Sequence, residues 1–232
     1  MGFSQTLLDG AKPLRDRILA HPFVQGLGDG TLPVEKFRFY LEQDYLFLIE
    51  YCRVLSLAVA KSREPGTMRR FAELLHSTLE VEMELHRGYS AQFGLSARQM
   101  ETAAPAATTH AYTRHLLAIA WGGGLGEIAA GLLPCQWGYL EVATRLAEAG
   151  GSTPTNPYHR WIESYTANEY ADLAHWIRGL VDAVAEQAGP VGRMAMETAF
   201  VESSRYELMF WDIAWKGGAD GVWLPSSRTA GI

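Results

Sequence analysis

"RFYLEQDYLFLIEY", residues 38–51, decides how the chain is read. At helical spacing Phe37, Tyr40, Leu41, Leu48 and Tyr51 fall on one face. Asp44 and Phe47 share that face, so a carboxylate stands where the stripe calls for an apolar side chain. An unpaired buried carboxylate is too costly to persist. Asp44 is therefore paired, protonated or lining a polar cavity.

Working outward, Pro33 and Glu35 sit where the first turn of a helix favours them, and this helix is expected to reach about Lys61. "EPGT" breaks it, and a second long helix is predicted over 68–93. Ser96 and Gln99 have capping-box spacing. A helix following Pro105 should stop at the glycines 122–124, and the next should cover 125–149. In "STPTNP", Asn156 reads as a cap with Pro157 at the first helical position. Thr166 and Glu169 suggest a second capping box, with a break near Tyr165. "AGP" at 188–190 precedes a last helix to about Trp215, and an irregular tail is expected from about 216. No alternating strand pattern competes. The expectation is one all-α domain over 1–232, a helical bundle of about seven to nine helices.

The bulk numbers agree with that class. The chain has 232 residues, 48% hydrophobic and 20% charged, with a net charge of −6. No basic run suggests a nucleic-acid surface. The longest apolar stretch, "LLAIAWGGGLG", is too short and glycine-rich to span a bilayer. The N-terminus lacks the layout of a secretion signal, and two cysteines cannot make a disulfide framework. We expect a cytoplasmic protein with free thiols and neither nucleic-acid nor membrane partners.

Two further residues repeat the oddity of Asp44. Leu125, Ile128, Leu132, Cys135, Tyr139 and Val142 line one helical face, with Cys135 at its centre and Pro134 just before it. Phe200, Ser203, Glu207, Phe210, Trp211 and Ala214 share another, and Glu207 is again a carboxylate in an apolar stripe. Taken singly, Cys135 is a small buried hydrophobe and each carboxylate pairs with an arginine. Together they make chemical sense. A thiolate is a strong nucleophile, and a carboxyl in an apolar pocket has a raised pKa and can move a proton. A second carboxylate can accept hydrogen bonds from an amino-bearing ring, and Tyr40, Phe47, Tyr51, Tyr112, Tyr139 and Tyr165 are aromatics able to flank it.

Three stretches carry a family likeness in combination: Gln-Asp-Tyr at 43–45, "LPCQWGY" at 133–139 and "YELMFWD" at 206–212. With "HPFVQGLGDGT", "ELH" at 84–86 and "NPYHRWIESYTANEY", the sequence resembles the TenA or thiaminase II family, whose fold is haem-oxygenase-like. The resemblance implies hydrolysis of 4-amino-5-aminomethyl-2-methylpyrimidine to the hydroxymethyl compound and ammonia, in thiamine salvage, with thiamine itself as a second substrate. It implies Cys135 as nucleophile and Glu207 as proton donor and acceptor at ring nitrogen. Asp44 would bind the amino and imine edge, and Tyr139, Tyr165 and Tyr112 would contact or orient the ring. No metal or organic cofactor is implied, and the assembly would be a homotetramer. Family members often carry tyrosine where this chain has Phe47, and Tyr51, one turn on, could supply the missing hydroxyl.

Two other classes compete. A non-catalytic pyrimidine-binding or regulatory protein would keep the pocket without the chemistry. A haem or di-iron oxidase on the same fold would need more ligands. His76, Glu80, Glu84 and His86 cluster in sequence, but Met83 interrupts the Glu-x-x-His spacing of bundle di-iron sites. His21, the remaining haem-ligand candidate, reads as a capping residue.

Overall fold

The structure, a computed structural model, describes residues 2–217, with only the backbone of 81, 82 and 84–87. The irregular tail expected from about 216 lies almost wholly outside the described residues. Among these residues all regular structure is helical: α1 (Phe3–Gly10), α2 (Lys12–Leu19), α3 (Pro22–Asp29), α4 (Val34–Lys61), α5 (Pro65–Ser77), a π-helical segment (Thr78–Glu82), α6 (Met83–Gln92), α7 (Ala97–Thr102), α8 (Ala107–Gly122), α9 (Leu125–Glu148), α10 (His159–Thr166), α11 (Asn168–Gln187) and α12 (Pro190–Lys216). The count exceeds the sequence expectation because residues 3–29 fold into three short helices and the predicted 68–93 helix is divided. No helix among the described residues is long and apolar enough to cross a membrane.

The division falls where the phase of the buried face shifts. Among the described side chains Phe71, Leu74 and Thr78 are buried at helical spacing, and Met83, also buried, stands five positions beyond Thr78. In a regular α-helix five positions turn the side chain to nearly the opposite face. The wide π turn absorbs the extra residue.

Two caps also differ from expectation. Asn156 does cap, but it caps a turn: its Oδ1 accepts the Tyr158 N–H at 2.9 Å and α10 starts at His159, two residues beyond Pro157. Its Nδ2 lies 2.8, 3.1 and 2.9 Å from the carbonyls of Leu27, Gly28 and Gly151, stitching the end of α3 to the loop after α9. The break near Tyr165 is present, but Thr166 Oγ1 donates back to the Ile162 carbonyl, so the proposed capping box with Glu169 does not form. The Ser96–Gln99 box does form.

Helix α9 is the central element, packed against α12, α11 and α10, while α4 packs against α5 and α8. Small residues on α9 permit this closeness. A Cβ on Gly126 would lie 2.9 Å from both Met196 Sδ and Val184 Cγ1. The apolar interior forms two clusters. One holds Phe47, Tyr51, Tyr112, Leu132 and Phe200. The other holds Phe37, Tyr40, Tyr139, Phe210 and Trp211. On α4, Asp44 falls between Tyr40 of one cluster and Phe47 of the other. Asp44 thus stands on α4 where the two clusters meet, and it is buried there.

Candidate active site

Four helices supply the expected residues. Helix α4 contributes Asp44, Phe47 and Tyr51, α8 contributes Tyr112, α9 contributes Cys135 and Tyr139, and α12 contributes Glu207. Tyr165 comes from α10. Asp44 is 4% exposed and Glu207 5%. Cys135 is partly buried and packs against the first apolar cluster.

Among the described residues no arginine pairs with the Glu207 carboxyl. The Tyr112 hydroxyl donates to its Oε1 at 2.6 Å. Burial pushes the Glu207 carboxyl up to about 7, the negative charge of Asp44 adds to the rise, and the Tyr112 hydrogen bond partly opposes it. A carboxyl balanced near neutrality can both give and take a proton. Burial, with nearby negative charge, also holds the Tyr112, Tyr139 and Tyr40 hydroxyls well above their ordinary range, so they act as neutral donors. The charges acting on Tyr112 include those of Glu207, Cys135 and Tyr51, which places these groups in one electrostatic neighbourhood.

The rings are closely arranged. Phe47 lies 5.0 Å from Tyr112, 6.0 Å from Tyr51 and 6.1 Å from Phe210 between centroids. Tyr139 lies 4.9 Å from Tyr165 and 5.3 Å from Trp211. All eight residues expected from sequence thus border one buried region. A cleft of about 520 Å³ opens beside it. Asp44, Cys135 and Glu207 are not on the cleft walls; Leu41, Gln136, Trp161 and Tyr165 are, and these join cleft to cluster.

Three supporting residues escaped the sequence reading. Gln43, fully buried on α4, accepts from the Ala106 N–H and the Thr109 hydroxyl, both at 2.8 Å. It thereby fixes the start of α8, which carries Tyr112. Trp161 donates its indole N–H to the Tyr40 hydroxyl at 3.2 Å. Gln136 donates from Nε2 to the Tyr51 hydroxyl at 2.7 Å. The signal that exposed Asp44, a polar residue in an apolar run, was present at both glutamines.

His21 caps α3, with Nδ1 accepting the Phe23 N–H. Among the described residues no group of three or more His, Cys, Asp or Glu is placed to hold a metal ion; the side chains of Glu84 and His86 lie outside them.

Fold and cluster define a helical-bundle protein built around a buried carboxylate pair, a cysteine and a shell of tyrosines. The model of the TENA/THI-4/PQQC family matches residues 8–217, and the chain belongs to that family. It is 41% identical over 215 residues to the aminopyrimidine aminohydrolase of Halalkalibacterium halodurans, covering 93% of this chain and 96% of that protein. A TenA homologue from P. horikoshii OT3 superposes with a TM-score of 0.87 at 31% identity, over 94% of this chain and 100% of that one. A Shewanella denitrificans domain with a haem-oxygenase-like fold gives a TM-score of 0.72 at 13% identity, covering 95% and 98%, and supports the fold alone.

Proposed function

We propose that this chain is an aminopyrimidine aminohydrolase of the cysteine-containing kind. The observation that carries the reading is Glu207: a buried carboxyl poised at about 7, hydrogen-bonded to Tyr112, sharing its surroundings with Asp44 and with Cys135. In the proposed reaction the Cys135 thiolate adds to the pyrimidine ring while Glu207 delivers a proton to ring nitrogen. Asp44 binds the amino and imine edge, accepting a hydrogen bond from the amino group. Tyr139 and Tyr165 flank the ring. Addition ends aromaticity and lets the exocyclic methylene expel its amine with the bonding electron pair. Water then adds to the methylene, the thiolate leaves and Glu207 recovers its proton. One water is consumed and one ammonia released per turnover, and the product is the hydroxymethylpyrimidine.

Tyr51 fits the place of the hydroxyl that Phe47 lacks. Because Gln136 donates to the Tyr51 oxygen, the phenolic hydrogen is left to serve another acceptor.

The test is incubation with 4-amino-5-aminomethyl-2-methylpyrimidine and, separately, with thiamine, reading ammonia and thiazole. We expect ammonia release, abolished in Cys135→Ser with the fold retained. Near-normal hydrolysis by the serine variant would refute the nucleophile assignment. Thiazole release from thiamine would extend the reading to thiaminase activity.

A further inference from the structure

Helices α8 and α12 meet through two polar contacts, and only one of them belongs to the chemistry above. Tyr112 of α8 donates to Glu207 of α12 at 2.6 Å. One turn on along α8, His115 brings its Nε2 to 3.1 Å from the hydroxyl of Ser203, one turn back along α12. Residues three or four apart share a helix face, so the two contacts are successive rungs between antiparallel helices. The Tyr206 ring links the rungs: it stacks on Tyr112 at 5.3 Å and 9°, and lies 5.2 Å from the His115 ring.

The second rung is directional. Ser203 is fully buried, and the His115 side chain nearly so. A helical serine commonly donates its hydroxyl to the carbonyl four residues back, as Ser204 does to Phe200 at 2.8 Å. For Ser203 that carbonyl is Ala199, and the His115 ring donates there instead. Burial lowers the His115 pKa, with the Glu202 charge and the Ala199 hydrogen bond opposing, so at neutral pH the ring is uncharged and carries one hydrogen. Two acceptors, the Ala199 carbonyl and the Glu202 carboxylate, claim that hydrogen. Glu202 faces Nδ1 at 3.5 Å, which leaves Nε2 to accept the Ser203 hydroxyl. Across from Ser203, α9 presents Gly131, one turn before Cys135; a Cβ there would lie 3.6 Å from Ser203 Oγ. Position 131 thus brings no side chain to compete for the hydroxyl.

We propose that His115 and Ser203 are positioning residues for the acid–base pair: their clasp fixes the separation of α8 and α12 and so holds the Tyr112 hydroxyl against the Glu207 carboxyl. The inference deepens the aminohydrolase reading and rests on it for its effect on turnover. The Tyr112 hydrogen bond opposes the rise of the Glu207 carboxyl above the ordinary glutamate range. A loosened clasp lengthens that bond, favours the protonated carboxyl and moves its titration to higher pH. The other titratable groups around the two rungs are Asp44 and Tyr51 of α4, Cys135 and Tyr139 of α9, and Glu202 of α12. The test leaves all of these in place.

The test reads Glu207 without substrate. Urea unfolding is followed from about pH 4.5 to 9.5 for the parent, His115→Leu, Ser203→Ala, His115→Gln and Tyr112→Phe, each against the same protein carrying Glu207→Gln. The midpoint of the pH-dependent difference then belongs to Glu207. Tyr112→Phe, which removes the bond, should raise that midpoint by about one to two pH units. His115→Leu and Ser203→Ala should each raise it by a fraction of this, about half a pH unit. In the Tyr112→Phe background His115→Leu should add nothing. His115→Gln keeps an acceptor for Ser203 and a donor for the Ala199 carbonyl, and should restore the parent value. The limb of the pH–rate profile set by Glu207 should move in step. A clasp that served stability alone would lower every curve evenly and leave the midpoint in place. Unmoved midpoints in His115→Leu and Ser203→Ala, or a shift that persists in the Tyr112→Phe background, would overturn the proposal. Ser203→Ala, the milder change, decides by itself if His115→Leu does not fold. Shifted midpoints in a protein that hydrolyses no aminopyrimidine would uphold the clasp and overturn the aminohydrolase reading.

Discussion

Glu207→Gln should make the protein more stable at alkaline pH while disabling it. The Glu207 carboxyl is held at about 7 in the folded protein, against 4.5 for an ordinary glutamate. Between those values the folded state keeps a proton that the unfolded chain has released. Stability from this group is therefore fully present below about pH 4.5 and lost as pH rises through about 7. At 1.36 kcal/mol per pH unit, the interval corresponds to roughly 3 kcal/mol lost by pH 8.5. Glutamine retains an oxygen for the Tyr112 hydroxyl and carries no charge to bury. The variant should match the parent near pH 4.5 and exceed it by roughly 3 kcal/mol at pH 8.5, which is about 6–12 °C in Tm for a chain of this size. Turnover should fall by about 10²–10⁴-fold across the same range. The assay is thermal and urea unfolding of both proteins from pH 4.5 to 8.5. Parallel stability curves with a constant offset would refute the argument, because they would mean that Glu207 titrates alike in the folded and unfolded chains.

Asp44→Asn should raise KM for the aminopyrimidine more than it lowers kcat, because the amide presents donors where the carboxylate only accepts; steady-state kinetics decide it, and an unchanged KM with collapsed kcat would exchange its role with that of Glu207. On the proposal that the Tyr51 hydroxyl donates to the Cys135 thiolate, Tyr51→Phe should shift the rising limb of the pH–rate profile to higher pH, whereas Phe47→Tyr should change it little. A large gain from Phe47→Tyr with a silent Tyr51→Phe would reverse that assignment. Asn156→Ala should destabilise the fold by about 3 kcal/mol in urea titration, because several buried backbone groups lose their partner together; a cost below about 1 kcal/mol would show that water replaces the side chain at the α3–α9 junction.

Helix boundaries in α4, α9 and α12 were legible because each rests on a local signal: proline or glycine at the ends and one apolar stripe between. The π segment was not legible as such, because the apolar spacing on either side is helical and only the phase between the two runs slips. At Asn156 and Thr166 the composition of a cap was present, but tertiary partners took the side chain in one case and its own helix took it in the other. The site residues Asp44, Cys135 and Glu207 stood out as chemical misfits in apolar stripes. Their convergence was not readable from any one stripe, since it depends on how four helices are packed. Gln43, Gln136 and Trp161 act through distant partners, and a linear pattern does not encode whom a buried amide will meet.

The wide turn at Thr78–Glu82 also changes what the chain can tolerate in length. Elsewhere in these helices, removing one residue would swing every later buried side chain toward solvent. Here Thr78 and Met83 are five apart, and deletion of exposed Leu79 or Glu80 would leave them four apart, the separation at which a regular helix keeps both inside. The helix on either side would keep its own inward face. This segment is thus a place where the chain has one residue in reserve, and where lengths differing by one are compatible with the same packed interior.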